Sequence, residues 1–216
     1  MNWQEFCRNA DRLLFRQLNV NHHNDQGGSP MSQATLSGVV NGVDVERLGA
    51  TIQAIQQTPT LAASQFRAKN RWIMGGHNRS TIQGFYGAGQ EDTTRTNPFV
   101  LDADEPPVLL GKDQGANPAE YVLHALAACL TTSLVYHAAA RGIRLESVES
   151  HLEGDLDLQG FLGISDKVRQ GYKQIRAQFT VKSDASPEQL QELTKYSPVY
   201  DIVSNPVPVS ISVRKI

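Results

Sequence analysis

One segment, residues 117–141, limits the possible folds of this chain more than any other. It reads NPAEYVLHALAACLTTSLVYHAAAR, is rich in alanine and leucine, and contains no lysine or aspartate. Pro118 suits the first turn of a helix, where a missing N–H costs little, and Gly142 suits the left-handed residue that follows a last turn. A helix that is apolar on most faces belongs in a protein interior. The segment therefore predicts a buried central helix of roughly 36 Å, with Cys129 in its middle.

The composition restricts the class of protein. Of the 216 residues, 40% are hydrophobic and 19% are charged, as in an ordinary globular protein. A net charge of −2 provides no basic field that would attract nucleic acid or an anionic membrane. The longest apolar run, residues 123–135, is interrupted by His124 and several hydroxyls, and it is shorter than a membrane span of about 20 residues. We therefore predict no nucleic-acid partner and no membrane association.

Cysteine usage limits the compartment and the kind of site. Cys7 and Cys129 are the only two cysteines in the chain. A disulfide framework and a four-cysteine zinc site are therefore excluded. Proteins with few cysteines and no such framework are typical of a reducing environment. We predict a cytoplasmic location, no metal and no cofactor.

The first 30 residues are expected to lie outside the folded domain. Charges run through the first 20 of them, without the apolar core of a secretory signal, and a polar, turn-rich linker follows and ends directly before Met31. Residues 1–30 are either an extension upstream of a protein that begins at Met31, or a short amphipathic helix between Phe6 and Phe15. We divide the remainder into a helical segment, residues 31–65, and a main domain, residues 66–216.

Apolar periodicity predicts the other elements. Val45–Gln57 is expected to be a helix capped by Asp44, and residues 64–86 a hairpin that turns at Gly75-Gly76. The further predictions are a loop at 87–97, a short strand at 99–101, long strands at 143–158 and 172–181, a helix from the capping box at Ser186 to about Tyr196, and a terminal strand through Val207, Val209, Ile211 and Val213. Paired strands with helices after the hairpin predict an α+β fold with antiparallel sheets.

Two motifs, in this order, resemble the OsmC/Ohr family of osmotically inducible and organic hydroperoxide resistance proteins. The central helix of that family opens with Asn-Pro and carries a small-small-Cys motif, which matches Asn117-Pro118 and Ala127-Ala128-Cys129. The second motif lies near the C-terminus, from Ser197 to Val209. The resemblance covers about residues 66–216. It implies an intertwined homodimer, in which the sheets of two chains enclose their paired central helices.

For the site, the resemblance implies the chemistry of a cysteine peroxidase. Cys129 would attack a hydroperoxide as a thiolate, because a thiol is a poor nucleophile, and would become a sulfenic acid. In the family a second cysteine captures this acid, but Ser197 occupies that position here, so an external thiol is expected to be the reductant. The activating arginine of the family is matched best by Arg79, after the Gly75-Gly76 turn, with Arg71 in reserve.

The acidic partner of that arginine also departs from the family pattern. The peroxidases carry a glutamate directly after Asn-Pro, where this chain has Ala119. Glu120 follows and lies nine residues before Cys129. At about 100° per residue, nine residues place two side chains on nearly opposite sides of a helix. Glu120 is a candidate acid of the site and, equally, a first-turn acid that complements the helix dipole.

Simpler roles compete with some of these assignments. A free cysteine such as Cys129 is most often a small buried apolar residue. His124 is five residues from Cys129 and thirteen from His137, and neither separation is a standard spacing of metal ligands. We expect His124 to be a polar residue at the dimer seam and His77 to be a turn residue.

Two functions remain open at this stage. The first is the thiol-dependent reduction of apolar organic hydroperoxides in peroxide-stress defence, with Cys129 as the single reactive cysteine. The second is an OsmC-fold protein without efficient peroxidase activity, which binds a small apolar ligand at the dimer interface. An arginine–carboxylate pair near Cys129 would favour the first function.

Overall fold

The computed structural model describes residues 38–216, which form two compact units that join between Pro118 and Ala119. The predictions for residues 1–30, and any role of Cys7, lie outside the described residues. The boundary proposed at residue 65 stays a prediction. Each unit is described by itself.

The first unit begins with a small hairpin and a helix. Strands β1 (Val39–Val40) and β2 (Val43–Asp44) pair antiparallel, and helix α1 (Val45–Gln57) follows at once. The Asp44 side chain accepts a hydrogen bond from the Arg47 N–H at 3.0 Å and so caps the helix. This helix and its cap are as predicted from the sequence.

Five further strands complete the first unit. They are β3 (Lys69–Met74), β4 (His77–Ile82), β5 (Phe85–Gly87), β6 (Gln90–Asp92) and β7 (Phe99–Ala103). Strands β3, β4 and β7 form an antiparallel sheet in that order, and β5 pairs with β6. The predicted hairpin at Gly75-Gly76 is confirmed as the connection between β3 and β4.

The loop predicted at residues 87–97 is wrong in its first half, because Gly87 ends β5 and a further strand, β6, occupies residues 90–92. Ala88 and Gly89 both have positive φ, at 50° and 81°, which is the conformation of a two-residue hairpin turn. The strand was missed because its residues, Gln90, Glu91 and Asp92, are polar and carry no alternating apolar signal.

The connection to the central helix is organised by one buried carboxylate. Asp104 is 2% exposed, and its side chain accepts hydrogen bonds from the backbone N–H groups of Glu105, Lys112 and Gln114 at 2.8, 3.1 and 3.3 Å. These bonds lower the pKa of Asp104, against the burial that raises it. Asn117 also donates to the Glu105 side chain. The loop is therefore tied down immediately before the helix begins.

The second unit contains the central helix and the elements that cover one of its sides. They are α2 (Pro118–Ala140), β8 (Leu145–Asp155), α3 (Leu158–Phe161), β9 (Gln174–Ser183), α4 (Pro187–Thr194) and α5 (Pro198–Ser204). Helix α2 starts at Pro118 as predicted, and Gly142 follows its end with a φ of 69°. Strands β8 and β9 form a long antiparallel hairpin.

The core of the second unit lies between α2, this hairpin and α4. Leu134, Ala138 and Leu193 are at most 3% exposed and form its centre. The partly buried residues that pack against them are Ile143, Leu145, Val148, Phe179, Val181 and Leu190. Alternate residues of β8 and β9 point at the helix, which explains the period-two pattern in the sequence of both strands.

The central helix is buried on one side only, so the expectation of burial on most faces is wrong for the described chain. Its buried residues are Leu126, Leu130, Ser133, Leu134, Ala138 and Ala139. An outer stripe faces solvent and consists of Val122, Ala125, Ala128, Thr132 and Tyr136. Val122 is 39% exposed and Tyr136 is 49% exposed, so this stripe is an apolar surface with no cover among residues 38–216.

Helix α2 is also long enough and apolar enough to cross a membrane, judged by length and composition alone. It is the one such helix among residues 38–216. The apolar run of residues 123–135 gave too short a length for this helix, because the helix extends beyond that run at both ends. A core helix of a soluble protein passes the same test.

The terminal strand predicted through Val207, Val209, Ile211 and Val213 is wrong. Residues 205–216 form no strand, and Val209, Ile211 and Val213 are 77%, 86% and 91% exposed. A period-two pattern requires a neighbouring strand before it becomes a ladder, and Pro206 and Pro208 each lack an N–H donor. By contrast α5 was not predicted, although Ser197-Pro198 repeats the start signal of Ser186-Pro187.

Candidate functional site

Cys129 lies near the middle of α2 and is a free, half-buried thiol. Ala128 before it is exposed, and Leu130 after it is buried. Cys129 therefore sits at the boundary between the outer stripe and the buried side of the helix. This position excludes a fully buried structural cysteine.

Glu120 is exposed in the first turn of the same helix. Because both residues lie in one regular helix, nine residues place them two and a half turns apart, which is about 13 Å along the axis. The helix therefore does not bring Glu120 and Cys129 together. Next to Glu120, the Tyr172 hydroxyl donates to the Ala119 carbonyl at 2.8 Å, and burial followed by the Glu120 charge raises the pKa of Tyr172.

Arg79 lies on β4 and forms a two-point ion pair with Asp102 on β7. Its Nε donates to Asp102 Oδ1 at 2.8 Å and its Nη2 donates to Oδ2 at 3.1 Å. The Nε2–H of His77 donates to the same Oδ1 at 2.8 Å. These hydrogen bonds, first that of Arg79 and then that of His77, lower the pKa of Asp102. His77 is the first residue of β4, so the prediction that it is a turn residue is wrong.

The two candidate arginines differ in their partners. Arg71 on β3 is in register with Arg79, on the side away from Asp102. Arg79 has a carboxylate, whereas Arg71 makes no salt bridge with any residue of the described chain, 38–216. Asp102 was not singled out in the sequence. The available signal was the DEPP segment that follows β7, but a lone aspartate in a strand carries no pattern.

Ser197, at the position where the family has its second cysteine, is a helix cap. Its hydroxyl accepts from the Tyr200 N–H at 3.1 Å at the start of α5. The side chain is 1% exposed, so the serine fills a small buried site. Serine cannot form a disulfide, and this position therefore contributes no second thiol.

The second unit also contains an open groove of about 730 Å³. One wall is formed by Leu126, Leu130 and Leu134 of α2, and the facing wall by β9 with Phe179. The lining also includes polar side chains of α4 and α5, among them Gln191 and Tyr200. Cys129 is not among the lining residues. The volume is in the range of ligand-binding pockets.

Comparison with known proteins assigns the family. Residues 111–212 match the family model described as OsmC-like protein. This part of the chain is an OsmC-like domain. Cys129, Glu120 and Ser197 lie inside the matched residues of the OsmC-like domain, and Arg79 and Asp102 lie before them. No curated protein matches the sequence.

Several solved structures are similar to this OsmC-like chain. An OsmC-like protein from Mycoplasma pneumoniae has 14% identity and a TM-score of 0.49, over 66% of this chain and 89% of that one. An organic hydroperoxide resistance protein OsmC from Legionella pneumophila has 19% identity and a TM-score of 0.45, over 65% and 89%. OhrB of Bacillus subtilis, an organic hydroperoxide resistance protein, has 19% identity and a TM-score of 0.38, over 65% and 90%.

Three histidines lie in the OsmC-like domain, His124, His137 and His151. Among residues 38–216 no group of three histidine, cysteine, aspartate or glutamate side chains is arranged to hold a metal ion. His124 is exposed on α2. His137 stacks on Tyr196 with ring centroids 4.1 Å apart and contacts Arg141 Nη1 through Nδ1 at 3.1 Å. Burial, and then the Arg141 charge, lowers the pKa of His137.

Proposed function

We propose that this OsmC-like protein reduces organic hydroperoxides with an external thiol and acts in peroxide-stress defence. The observation that carries the proposal is Cys129, a free and half-buried thiol in the central helix of an OsmC-like domain. Apolar residues surround it along the helix, including Leu126 and Leu130. This environment favours apolar hydroperoxides over hydrogen peroxide.

In the proposed reaction the Cys129 thiolate attacks the terminal oxygen of the hydroperoxide. The O–O bond breaks as an S–O bond forms, and the alkoxide leaves and takes up a proton as an alcohol. Sulfur is oxidised by two electrons, and the peroxide is reduced by two. A thiol then condenses with the sulfenic acid to give a mixed disulfide and water, and a second thiol releases Cys129 as a disulfide forms between the two external thiols.

Arg79 is the residue that we propose to stabilise the Cys129 thiolate. The support is the match of the Gly75-Gly76 region to the family and the guanidinium of Arg79, which is oriented by Asp102. A nearby guanidinium lowers the pKa of a thiol and so raises its thiolate fraction. Glu120 stays a predicted acid of the site. Its first-turn position is also that of a residue that stabilises the helix dipole.

The remaining parts of the proposal concern assembly and location. An intertwined homodimer is supported by the uncovered outer stripe of α2, with Val122 and Tyr136 both more than a third exposed. An external thiol is required because Ser197 replaces the second cysteine. Thiol reductants are abundant in a reducing cytoplasm, which is the proposed location.

Trapping of the intermediate tests the proposed function. The reduced full-length protein is treated with one equivalent of cumene hydroperoxide and a sulfenic-acid trap, and the labelled cysteine is identified by mass spectrometry. Label on Cys129 is expected, with loss of the label in Cys129→Ser and its retention in the matched control Cys7→Ser. An unlabelled Cys129, or an internal disulfide between Cys7 and Cys129, would contradict the proposal.

The groove supports a second candidate function, the binding of a small apolar ligand without efficient peroxidase activity. Its leucine walls and its volume of about 730 Å³ suit an acyl or similar chain, and Cys129 does not line it. A fluorescent fatty-acid probe should then bind whether or not Cys129 is present. Binding to Cys129→Ser with no sulfenic acid in the wild type would favour this candidate.

A further inference from the structure

We propose that a cavity in the first unit is a binding site for a small primary amine carried on an apolar body. The cavity has a volume of about 370 Å³, which lies in the range of ligand-binding pockets. Its lining residues all precede residue 111, so the cavity is outside the OsmC-like match. The proposal is therefore independent of Cys129 and of peroxide chemistry. Three observations carry it.

The first observation is the apolar interior of the cavity. Helix α1 contributes Thr51 and Ile55, which are one helical turn apart. The 3₁₀ turn Pro59–Ala62 contributes Leu61 and Ala62. Ile55 and Leu61 are half-buried. These side chains favour a ligand with an aromatic or branched aliphatic body, because the transfer of apolar surface out of water is favourable.

The hairpin of β5 and β6 supplies the remaining wall. Phe85 pairs with Asp92, and Gly87 pairs with Gln90. Directly paired residues of antiparallel strands point to the same face, and all four of these residues line the cavity. Glu91 lies between Gln90 and Asp92 in β6 and therefore points to the other face. The carboxylate of Asp92 thus belongs to the cavity, whereas that of Glu91 does not.

The second observation is that the hydroxyl groups of the cavity are available to a ligand only as acceptors. A serine or threonine hydroxyl has one proton to donate. Thr51 Oγ1 donates its proton to the Arg47 carbonyl at 2.9 Å. Ser64 Oγ donates its proton to the Ala62 carbonyl at 3.5 Å. Both protons are used by the backbone, so each oxygen presents lone pairs to the cavity.

The third observation is the charged carboxylate of Asp92. Its Oδ1 accepts hydrogen bonds from the Thr94 hydroxyl at 2.7 Å and from the Thr94 N–H at 2.9 Å. The hydroxyl bond first, and then the backbone bond, lower the pKa of Asp92, so the group is ionised at neutral pH. Asp92 forms no ion pair with a lysine or arginine of residues 38–216.

The guanidinium of Arg95 also lowers the pKa of Asp92, to a smaller extent, but its contacts lie elsewhere. Its Nη1 donates to the Gln83 carbonyl at 2.8 Å, and its central carbon lies 4.7 Å from the centroid of the Phe99 ring. Asp92 therefore keeps an oxygen for a ligand. A primary ammonium complements this site, because it offers three N–H donors and a positive charge to a set of acceptors.

Three probes that share one ring system test the proposal on the full-length protein. At neutral pH 2-naphthylmethylamine is a cation, 2-naphthalenemethanol is neutral and 2-naphthoate is an anion. Isothermal titration calorimetry measures their affinities. We expect the amine to bind about 10- to 100-fold more tightly than the alcohol, which corresponds to one hydrogen bond to a charged group. The naphthoate should bind more weakly than the alcohol, because Asp92 repels it.

Three variants locate the bound amine. Asp92→Asn keeps the Oδ1 that accepts from Thr94 and removes the charge, so it should weaken amine binding about 10- to 100-fold and leave alcohol binding within about twofold. Glu91→Gln removes the neighbouring carboxylate on the other face of β6 and should leave both affinities unchanged. Ala62→Trp fills the cavity and should abolish the binding of both probes.

Several results would overturn the proposal. They are equal affinities for the amine and the alcohol, unchanged amine binding in Asp92→Asn, an equal loss in Glu91→Gln, and undiminished binding in Ala62→Trp. The absence of saturable amine binding would also overturn it, including the case in which another segment or a second copy of the chain covers the cavity. If Asp92→Asn fails to fold, the comparison of amine and alcohol on the wild type decides.

Discussion

The hydroxyl of Ser197 accepts a hydrogen bond from the backbone N–H of Tyr200 at 3.1 Å and closes the first turn of α5. The position that the family resemblance assigns to a second cysteine is thus occupied by a helix cap. Ser197 is 1% exposed, so its hydroxyl is shielded from solvent. The serine at this position cannot form a disulfide, and it caps a helix instead.

The first prediction concerns the stability contributed by this cap. Ser197→Ala should destabilise the protein by about 2 kcal/mol, since it removes a helix cap at a position that is 1% exposed. Ser186→Ala removes the exposed cap of α4 and should cost about 1 kcal/mol, because water can satisfy the freed N–H. Chemical denaturation of the two variants measures both values. Equal losses would contradict a special role for burial at Ser197.

The second prediction restores the missing thiol. Ser197→Cys should allow a disulfide between residues 129 and 197 after peroxide treatment and should raise turnover with a dithiol reductant. Cysteine is a weaker cap, so the reduced variant should also be less stable than the wild type by about 1 kcal/mol. Non-reducing mass spectrometry detects the disulfide. Ser186→Cys places a thiol on the neighbouring helix cap and should remain reduced. A reduced Ser197→Cys protein after peroxide would count against the proposed arrangement.

The third prediction concerns the outer stripe of α2. Ala125 is exposed in the middle of this stripe, and we propose that the stripe contacts a second copy of the chain. Ala125→Glu should place a charge in that contact and shift the protein toward the monomer, because an unpaired buried charge is strongly unfavourable. Sedimentation velocity at micromolar concentration measures the change. Ala63→Glu, at an exposed position of the first unit, should leave the dimer intact, and a monomeric wild type would refute the proposal.

The fourth prediction uses the lowered pKa of His137. Burial, and then Arg141, lowers its pKa below 6.5 in the folded protein. The unfolded chain therefore binds a proton at a higher pH than the folded one, so the neutral histidine stabilises the fold at pH 7 and this contribution is lost as the pH falls from about 6.5 through the lower folded pKa. His137→Phe keeps the stack on Tyr196 and removes the titration.

Thermal melting between pH 7.5 and pH 5 checks this sign. The wild type should lose more stability on acidification than His137→Phe, with the difference confined to pH values below about 6.5. His124→Phe replaces an exposed histidine of the same helix and should follow the wild type. A His137→Phe protein that loses stability as steeply as the wild type would show that His137 does not contribute.

Local sequence signals were sufficient to predict the helices whose ends are marked by capping residues, proline or glycine. Pro118 and Gly142 delimit α2, and Asp44 and Ser186 cap α1 and α4, as the residues predicted. These features follow from the sequence because each depends on a backbone group and a side chain within one turn. The small-small-Cys motif also identified the family, which the match over residues 111–212 confirmed.

Tertiary structure decided the features that depend on residues distant in the chain. Asp102 is 23 residues from Arg79 and becomes its partner only because β4 and β7 pair in one register. Conversely, Val209 and Ile211 alternate as strand residues should, yet no neighbouring strand among residues 38–216 pairs with them. An alternating pattern of apolar residues shows only which side chains would share one face of a strand. An ion pair or a β-ladder also requires a second segment of the chain at the right distance.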